Sequence, residues 1–188
     1  MTSHFNPAVL RISAGASTHP GLRRPANEDA VLAEYPVFLV ADGMGGHDAG
    51  DKASAAVVEA FQPLVGRDDL HPDEVVRAIE TAHRLVAKLA KNTKRGAGST
   101  ATGIVAVLQG ETRCWLVFNI GDSRVYRLLA HRLEQLTVDH SVAQDLVDQG
   151  KLAREDVSSF QGRNVITRAV GDAGSVADYW LLPIVTGE

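Results

Sequence analysis

The sequence predicts an α+β domain in which antiparallel strands pack against helices. The predicted elements run in the order strands, two helices, strands and one helix, and such runs of strands favour antiparallel pairing over alternating βαβ units. The chain has 188 residues, of which 45% are hydrophobic, so it can bury one sizeable core. We therefore expect a single domain over residues 1–188.

The first half of the chain contains two predicted strands and two predicted helices. Residues 9–18 and 30–42 are expected to be strands, the second with a fully buried end from Val37 to Val40. A short helix is expected over 51–61, where alanines would let the backbone lie close to a sheet. Apolar residues at steps of three and four predict a longer helix over 73–91, namely Val75, Ile79, Ala82, Val86 and Leu89.

The second half begins with a basic, glycine-bearing loop over residues 91–99. Turn signals then divide residues 100–136 into three or four strands. Ser141 and Gln144 form a capping-box pattern that predicts a helix over 141–149, and Gly150 stands where a C-terminal cap belongs. Residues 176–188 look like a strand followed by a turn into a further strand.

Charge and composition exclude several classes of protein. A formal net charge of −4 provides no basic field, which argues against a nucleic-acid-binding protein. No apolar run approaches the roughly 18 residues that suggest a membrane span. The first residues lack the pattern of a signal peptide, and the single cysteine, Cys114, fits a reducing compartment. We expect a cytoplasmic protein.

The segment VADGMGGHDAGDKAS, residues 40–54, is glycine-rich and could bind either phosphate or metal. Gly45 and Gly50 have the spacing of a phosphate-binding loop, but Asp51 and Lys52 follow where that motif requires Lys and then Ser or Thr. A carboxylate at that position would repel phosphate. The dinucleotide-binding motif fails as well, so the sequence favours metal.

Acidic residues occur at several junctions between predicted strands and loops. Asp42 follows a predicted strand directly, Glu28 and Asp29 lie in a turn before that strand, and Asp122 follows a later strand. Oxygen ligands without a histidine–cysteine set favour Mg²⁺ or Mn²⁺ over zinc. Taken singly, each of these aspartates is better explained as a residue that caps or turns the backbone. Their number favours a metal site.

Six segments together resemble one protein family. RRPANEDA, VADGMGGHDAGDKAS, GAGSTATGIVAV, NIGDSRVYRL, LTVDHSVAQDLVDQG and RNVITRAVG occur in the order and spacing of the bacterial metal-dependent Ser/Thr protein phosphatases (PPM, type 2C). The resemblance covers about residues 10 to 172. It implies an α-β-β-α four-layer sandwich, in which two mainly antiparallel sheets are flanked by helices.

The resemblance also implies roles for particular residues. Two Mn²⁺ or Mg²⁺ ions would share a water, lower its pKa and so allow it to attack phosphorus. A third, weaker metal site would lie nearby. Asp42 would bridge the two ions, Gly43 would offer its carbonyl, and Glu28 and Asp29 would coordinate one ion directly or through water. Asp122 would contribute to the third site. Arg24 would bind the phosphoryl oxygens.

The sequence departs from the family pattern at several places. Met44 occupies the position of a histidine that eukaryotic members use as a general acid, and His47 is not expected to replace it. His140 is expected to have a local structural role. The family's Ser-Asp-Gly and Asp-Asn metal-binding elements do not occur in this chain, which therefore resembles a domain without its C-terminal portion.

Three functions remain open at this level. The leading hypothesis is metal-dependent hydrolysis of phosphoserine and phosphothreonine in proteins that a Ser/Thr kinase has phosphorylated. The alternative is a catalytically silent relative or fragment that binds phosphoproteins or partners through Arg24 and the glycine loop. A phosphohydrolase of another fold is weakly supported, because neither a D-x-D-x-[TV] nor a G-x-S-x-G motif occurs.

Overall fold

The computed structural model describes residues 12–22, 24–45, 49–93 and 96–184. Its helices are α1, α2 and α3, at Gly50–Phe61, Pro72–Ala90 and Val142–Asp148, and short 3₁₀ turns occupy Gln62–Leu64 and Arg154–Ser159. Its strands β1 to β8 are, in order, Asp29–Glu34, Val37–Gly45, Ala97–Ser99, Ala101–Gln109, Thr112–Ile120, Tyr126–Leu129, Arg132–Gln135 and Asp178–Pro183.

Six of these strands form one antiparallel sheet. The order across the sheet is β1-β2-β4-β5-β8, and β3 pairs with the C-terminal end of β2. The longest pairing joins β4 to β5, from Ala101 opposite Ile120 to Gln109 opposite Thr112. Short turns connect β1 to β2 and β4 to β5, and strands joined in this way pair antiparallel. The pairs β2–β4 and β5–β8 are also antiparallel, but they join segments that are far apart in sequence.

Helices α1 and α2 cover one face of this sheet. The apolar positions of α2 point into the core as the periodicity predicts, although Leu89 is only partly buried. From the sheet, alternate residues of β2 and β5 join the same core. The rings of Phe61 and Phe118 stack with centroids 5.1 Å apart, which joins α1 to the middle of the sheet.

The opposite face of the sheet is turned towards the two-stranded sheet β6–β7. A cleft of about 270 Å³ separates the two and is lined by Phe38 and Trp115 on one side and by Tyr126 and Leu128 on the other. The α+β class with antiparallel sheets and helices is thus confirmed. Within the described residues, the second sheet has these two strands only.

Three expectations about the strands are wrong in detail. Residues 12–18 are not a strand, and residues 9–11 lie outside the described residues. The predicted strand over 30–42 is a hairpin of β1 and β2, because Tyr35 and Pro36 form a turn within it. The end of this segment is not fully buried, since Val40 faces away from the helices and is 44% exposed.

The other corrections and confirmations concern the second half. Part of the expected loop over 91–99 is strand β3, while the strands predicted over 100–136 are present as four. Helix α3 has the predicted cap, because the Ser141 hydroxyl accepts a hydrogen bond from the Gln144 backbone N–H. Gly150 has φ of +68° and ends the helix as expected. No helix of the described residues is long and apolar enough to cross a membrane.

Candidate functional site

Two carboxylates face each other where β1 begins and β2 ends. Asp29 and Asp42 are direct partners in the antiparallel pairing of these strands. Residues in such positions project their side chains to the same face of a sheet, with Cβ atoms about 5 Å apart. The hairpin register therefore places two negative charges side by side on the face turned away from α1 and α2.

The pKa of Asp42 reflects this crowding. Its value is raised to about 6, first because surrounding protein atoms partly shield the carboxyl group from water and next because Asp29 is negatively charged. Asp122 adds to the increase, whereas the positive charge of Arg24 opposes it. A group in such an environment favours a proton or a cation as its neighbour.

The backbone of Asp42 is held by residues at the junction of β3 and β4. Its N–H donates to the hydroxyl oxygen of Thr100 at 2.9 Å, and its carbonyl oxygen accepts from the Thr100 N–H at the same distance. The Ser99 hydroxyl also donates to this carbonyl. The Thr100 hydroxyl further bonds that of Ser123 at 2.8 Å, which connects Asp42 to the turn that carries Asp122.

Gly43 occupies a position with no room for a side chain. A Cβ atom there would overlap the carbonyl oxygen of Gly50, the first residue of α1. The Gly43 N–H donates to the Glu28 carbonyl oxygen at 3.0 Å, and the Glu28 carboxylate lies against Gly50. The glycines therefore bring the turn before β1, the end of β2 and the start of α1 into close contact.

Arg24 extends over this group of acidic residues. One of its guanidinium nitrogens, Nη1, bonds Oε2 of Glu28 at 3.2 Å, while most of its side chain remains exposed. Its charge also reaches Asp42. Arg24 is thus positioned beside the carboxylates and retains donors that are free to bind an anion.

Asp122 lies in the turn after β5. The turn is fixed by His140, whose backbone N–H donates to the Gly121 carbonyl and whose ring Nδ1 accepts from the Gly121 N–H. The other ring nitrogen of His140 contacts Asp178 at 3.0 Å, so this buried histidine has the structural role expected of it. The pKa of Asp122 is raised by burial and by the charge of Asp139.

One cleft of about 480 Å³ brings most of the candidate residues together. Asp29 does not line this main cleft but lines a neighbouring one, and Asp42 lines both. Met44 lines the main cleft and has no acidic proton to donate, while His47 lies outside the described residues. Sequence interpretation gave no role to Thr100 or Asn164. The candidate residues on the main cleft are Arg24, Glu28, Asp42, Gly43 and Asp122.

The donor set suits a hard divalent cation. Its oxygen ligands are those that Mg²⁺ and Mn²⁺ prefer, and a cation between Asp29 and Asp42 would relieve their repulsion. Across residues 12–22, 24–45, 49–93 and 96–184, no three acidic, histidine or cysteine side chains form a group that could hold a metal ion. Asp29 and Asp42 are thus two paired carboxylates at a candidate site, not a complete set of metal ligands.

Comparison with known proteins identifies the family. The family model described as "Protein phosphatase 2C" matches residues 25–158. The serine/threonine phosphatase stp of Listeria monocytogenes is 32% identical over 159 residues, which cover 81% of this chain and 63% of that protein. The chain therefore spans less than two thirds of the length of this curated relative.

Solved structures agree with this result. The serine/threonine phosphatase PstP/Ppp of Mycobacterium tuberculosis superimposes with a TM-score of 0.75 at 33% identity, covering 86% of this chain and 68% of that one. The catalytic domain of PstP in complex with two manganese ions gives 0.71 at 30% identity, covering 86% and 69%. The matched family has the fold seen here, and it is metal-dependent.

Proposed function

The chain belongs to the protein phosphatase 2C family, and on that premise we propose that its site hydrolyses phosphoserine and phosphothreonine in proteins. The observation that carries the proposal is the Asp29–Asp42 pair, whose side chains face each other across β1 and β2. The relatives are named serine/threonine phosphatases, which supports this substrate class.

Mn²⁺ or Mg²⁺ is the cofactor that this donor set fits best. We propose that Asp42 and Asp29 hold the first ions, with Glu28 and the Gly43 carbonyl beside them and Asp122 at a third, weaker position. Bound divalent ions supply Lewis acidity, which lowers the pKa of water and offsets negative charge on the phosphoryl group. Complex formation by PstP with two manganese ions supports a count of two.

Arg24 is proposed to bind the phosphoryl oxygens. Its guanidinium group can present two parallel N–H donors to a phosphate, and such charge-assisted pairs are among the stronger hydrogen bonds in proteins. In the present structure one of its nitrogens bonds Glu28. A phosphoryl group would compete with Glu28 for that donor, and Glu28 would then be available to a cation.

The backbone contacts of Asp42 would orient its carboxylate during the reaction. Thr100 fixes both the N–H and the carbonyl of Asp42, so little reorganisation of this residue is needed when a substrate arrives. Met44 contributes no proton, so protonation of the leaving hydroxyl falls to water or to another group.

The wider setting is also part of the proposal. Residues 1–188 are proposed to belong to one phosphatase domain, and the matched residues cover 63% of the length of stp. Its substrates would be proteins that a Ser/Thr kinase has phosphorylated. A cytoplasmic location agrees with the single cysteine, since reducing compartments keep thiols free.

A phosphate-release assay tests the proposal. Wild-type protein, Asp42→Asn and Glu59→Gln are incubated with a phosphothreonine peptide, with Mn²⁺ or with EDTA. Glu59 is exposed on α1, so its variant controls for the loss of one negative charge. We expect release by wild type and Glu59→Gln that requires Mn²⁺, and at least 100-fold less by Asp42→Asn. Release that persists in EDTA or in Asp42→Asn would contradict the proposal.

A catalytically silent phosphoprotein-binding relative is the second candidate. It is favoured by the lack of any three-residue metal-binding group among the described residues. The two candidates differ in one result. The silent relative would bind a phosphopeptide through Arg24, lose that binding in Arg24→Ala, and release no phosphate at any Mn²⁺ concentration.

A further inference from the structure

A second polar cleft opens directly beside the candidate active site. Its volume is about 460 Å³, and it lies between the start of α3, the 3₁₀ turn at Arg154–Ser159 and the segment around Arg163. Asp122 and Asn164 line both this cleft and the one that contains Asp42. A peptide bound at the first cleft can therefore continue into the second.

Three arginines line this second cleft, and they are not equivalent. Arg124 is fully engaged by Asp139, with Nε 2.8 Å and 3.0 Å from the two carboxylate oxygens. Arg154 and Arg163 are exposed, and neither forms an ion pair with any residue of the described part of the chain. Their guanidinium groups are thus available to a ligand.

The local charge contrasts with that of the whole protein. The formal net charge of the chain is −4, yet this cleft carries two unpaired positive charges at Arg154 and Arg163. Glu155 and Asp156 follow Arg154 in sequence but do not line the cleft. Asp122 lines both this cleft and the candidate active site, where a cation would offset its charge.

We propose that this cleft binds a second anionic group on the same peptide as the phosphorylated residue, either a carboxylate side chain or another phosphate. The inference rests on the proposed function, because it assumes that the phosphoryl group is bound near Asp42. Arginine presents a planar set of donors that matches both carboxylate and phosphate. The preferred substrates are therefore phosphopeptides with acidic or phosphorylated neighbours.

Peptide binding tests this preference without reliance on turnover. Fluorescent peptides carry a non-hydrolysable phosphonate analogue of phosphothreonine, flanked by Ala, Glu, Lys or a second phosphonate residue. Dissociation constants are measured by anisotropy with Mn²⁺ present. We expect wild type to bind the Glu-flanked peptide about 5-fold more tightly than the Ala-flanked peptide, and the peptide with a second phosphonate about 10-fold more tightly. The Lys-flanked peptide should bind most weakly.

Arginine variants locate the preference. Arg154→Ala/Arg163→Ala should bind all flanking sequences within about 2-fold of one another, and Arg154→Glu/Arg163→Glu should prefer Lys flanks. The matched control is Arg84→Ala/Arg132→Ala, which removes two exposed arginines that line neither cleft and should keep the wild-type preference. Thermal unfolding of each variant verifies that it is folded.

The possible results separate the two proposals. Phosphonate-dependent binding that ignores the flanking residues, or an acidic preference that survives in the Arg154 and Arg163 variants, overturns this inference and leaves the proposed function standing. A further peptide has unmodified threonine in place of the phosphonate and Ala flanks, and binding of this peptide as tight as that of the Ala-flanked phosphonate peptide overturns the proposed function itself. A gain with the second phosphonate alone identifies phosphate as the ligand, whereas a gain with Glu as well shows that carboxylates suffice.

Discussion

Replacing Asp42 with asparagine should stabilise the metal-free protein, although it removes a residue of the candidate site. The pKa of Asp42 is about 6, against an ordinary value of 3.8, because burial and the Asp29 charge disfavour its ionised form. Each pKa unit corresponds to about 1.4 kcal/mol, so the whole difference would destabilise the folded protein by about 3 kcal/mol. Because water reaches Asp42 through the cleft and screens these interactions, we expect Asp42→Asn to raise the free energy of unfolding by only about 1 kcal/mol.

The sign and pH range follow from the two ionisation states. Above pH 6 the carboxyl is ionised in both folded and unfolded protein, and only the folded state carries the penalty. Below pH 3.8 the group is mostly protonated in both states and most of the penalty disappears. The advantage of Asp42→Asn in free energy of unfolding should therefore be complete at pH 7.5 and small near pH 3.5.

Urea unfolding in EDTA at these two pH values measures the effect. Glu59→Gln is the matched control, because it removes an exposed carboxylate and should change stability by less than about 0.5 kcal/mol. With Mn²⁺ at 100 times the wild-type dissociation constant, wild type should gain about 2.7 kcal/mol and Asp42→Asn, whose affinity is at least 10-fold weaker, should gain about 1.4 kcal/mol or less. A variant that is less stable than wild type at pH 7.5 in EDTA would refute the electrostatic reasoning.

Two further variants test how the site is supported, and a third tests His83, a partly buried residue of α2. Gly43→Ala should cost about 3 kcal/mol or more, because its Cβ has no space beside the first residue of α1. Thr100→Val should cost about 1 to 2 kcal/mol and weaken Mn²⁺ binding, because the N–H of Asp42 loses its acceptor. His83→Phe should cost about 1 kcal/mol at pH 7.5, because the Gly171 N–H loses its acceptor. It should also remove part of the pH dependence below pH 6.5, since burial lowers the pKa of His83 and protonation opposes folding.

Urea unfolding measures all three, and each has its own control. Gly15→Ala should be nearly neutral, because a Cβ atom there meets nothing within 4 Å. Thr100→Ser keeps the hydroxyl and should retain most of the stability and the Mn²⁺ affinity. For His83, the measured quantity is the difference in free energy of unfolding between wild type and His83→Phe. If this difference were the same at pH 6.5 and at pH 5, the lowered pKa of His83 would be contradicted. A stable Gly43→Ala would show that the contact with α1 is not tight.

Helix α2 and the cap of α3 could be predicted because their signals are local. The steps of three and four in α2 identify one buried face, and the contacts of Ser141 and Gly150 lie within a few residues. The hairpin over 29–45 was missed because its turn, Tyr35 and Pro36, lacks the glycine or asparagine that usually marks such turns. The proline itself was the available signal, since it disfavours a continuous strand.

The candidate site was only partly predictable for a similar reason. Asp42 could be singled out because an aspartate followed by glycines ends an apolar run, and its neighbours Glu28 and Asp29 are close in sequence. The contact of Asp42 with Thr100 depends on strand register across 58 positions, which no local pattern specifies. The unpaired state of Arg154 and Arg163 depends on tertiary packing in the same way.

Direct titration with Mn²⁺ tests the central claim, which is that the facing carboxylates of Asp29 and Asp42 form the nucleus of a cation site. Calorimetry is performed on metal-free wild type, Asp29→Asn, Asp42→Asn and Glu59→Gln at pH 7.5. We predict saturable binding by wild type and Glu59→Gln, and affinity at least 10-fold weaker in each aspartate variant. Equal Mn²⁺ affinity in all four proteins, or no binding by folded wild type, would contradict the account.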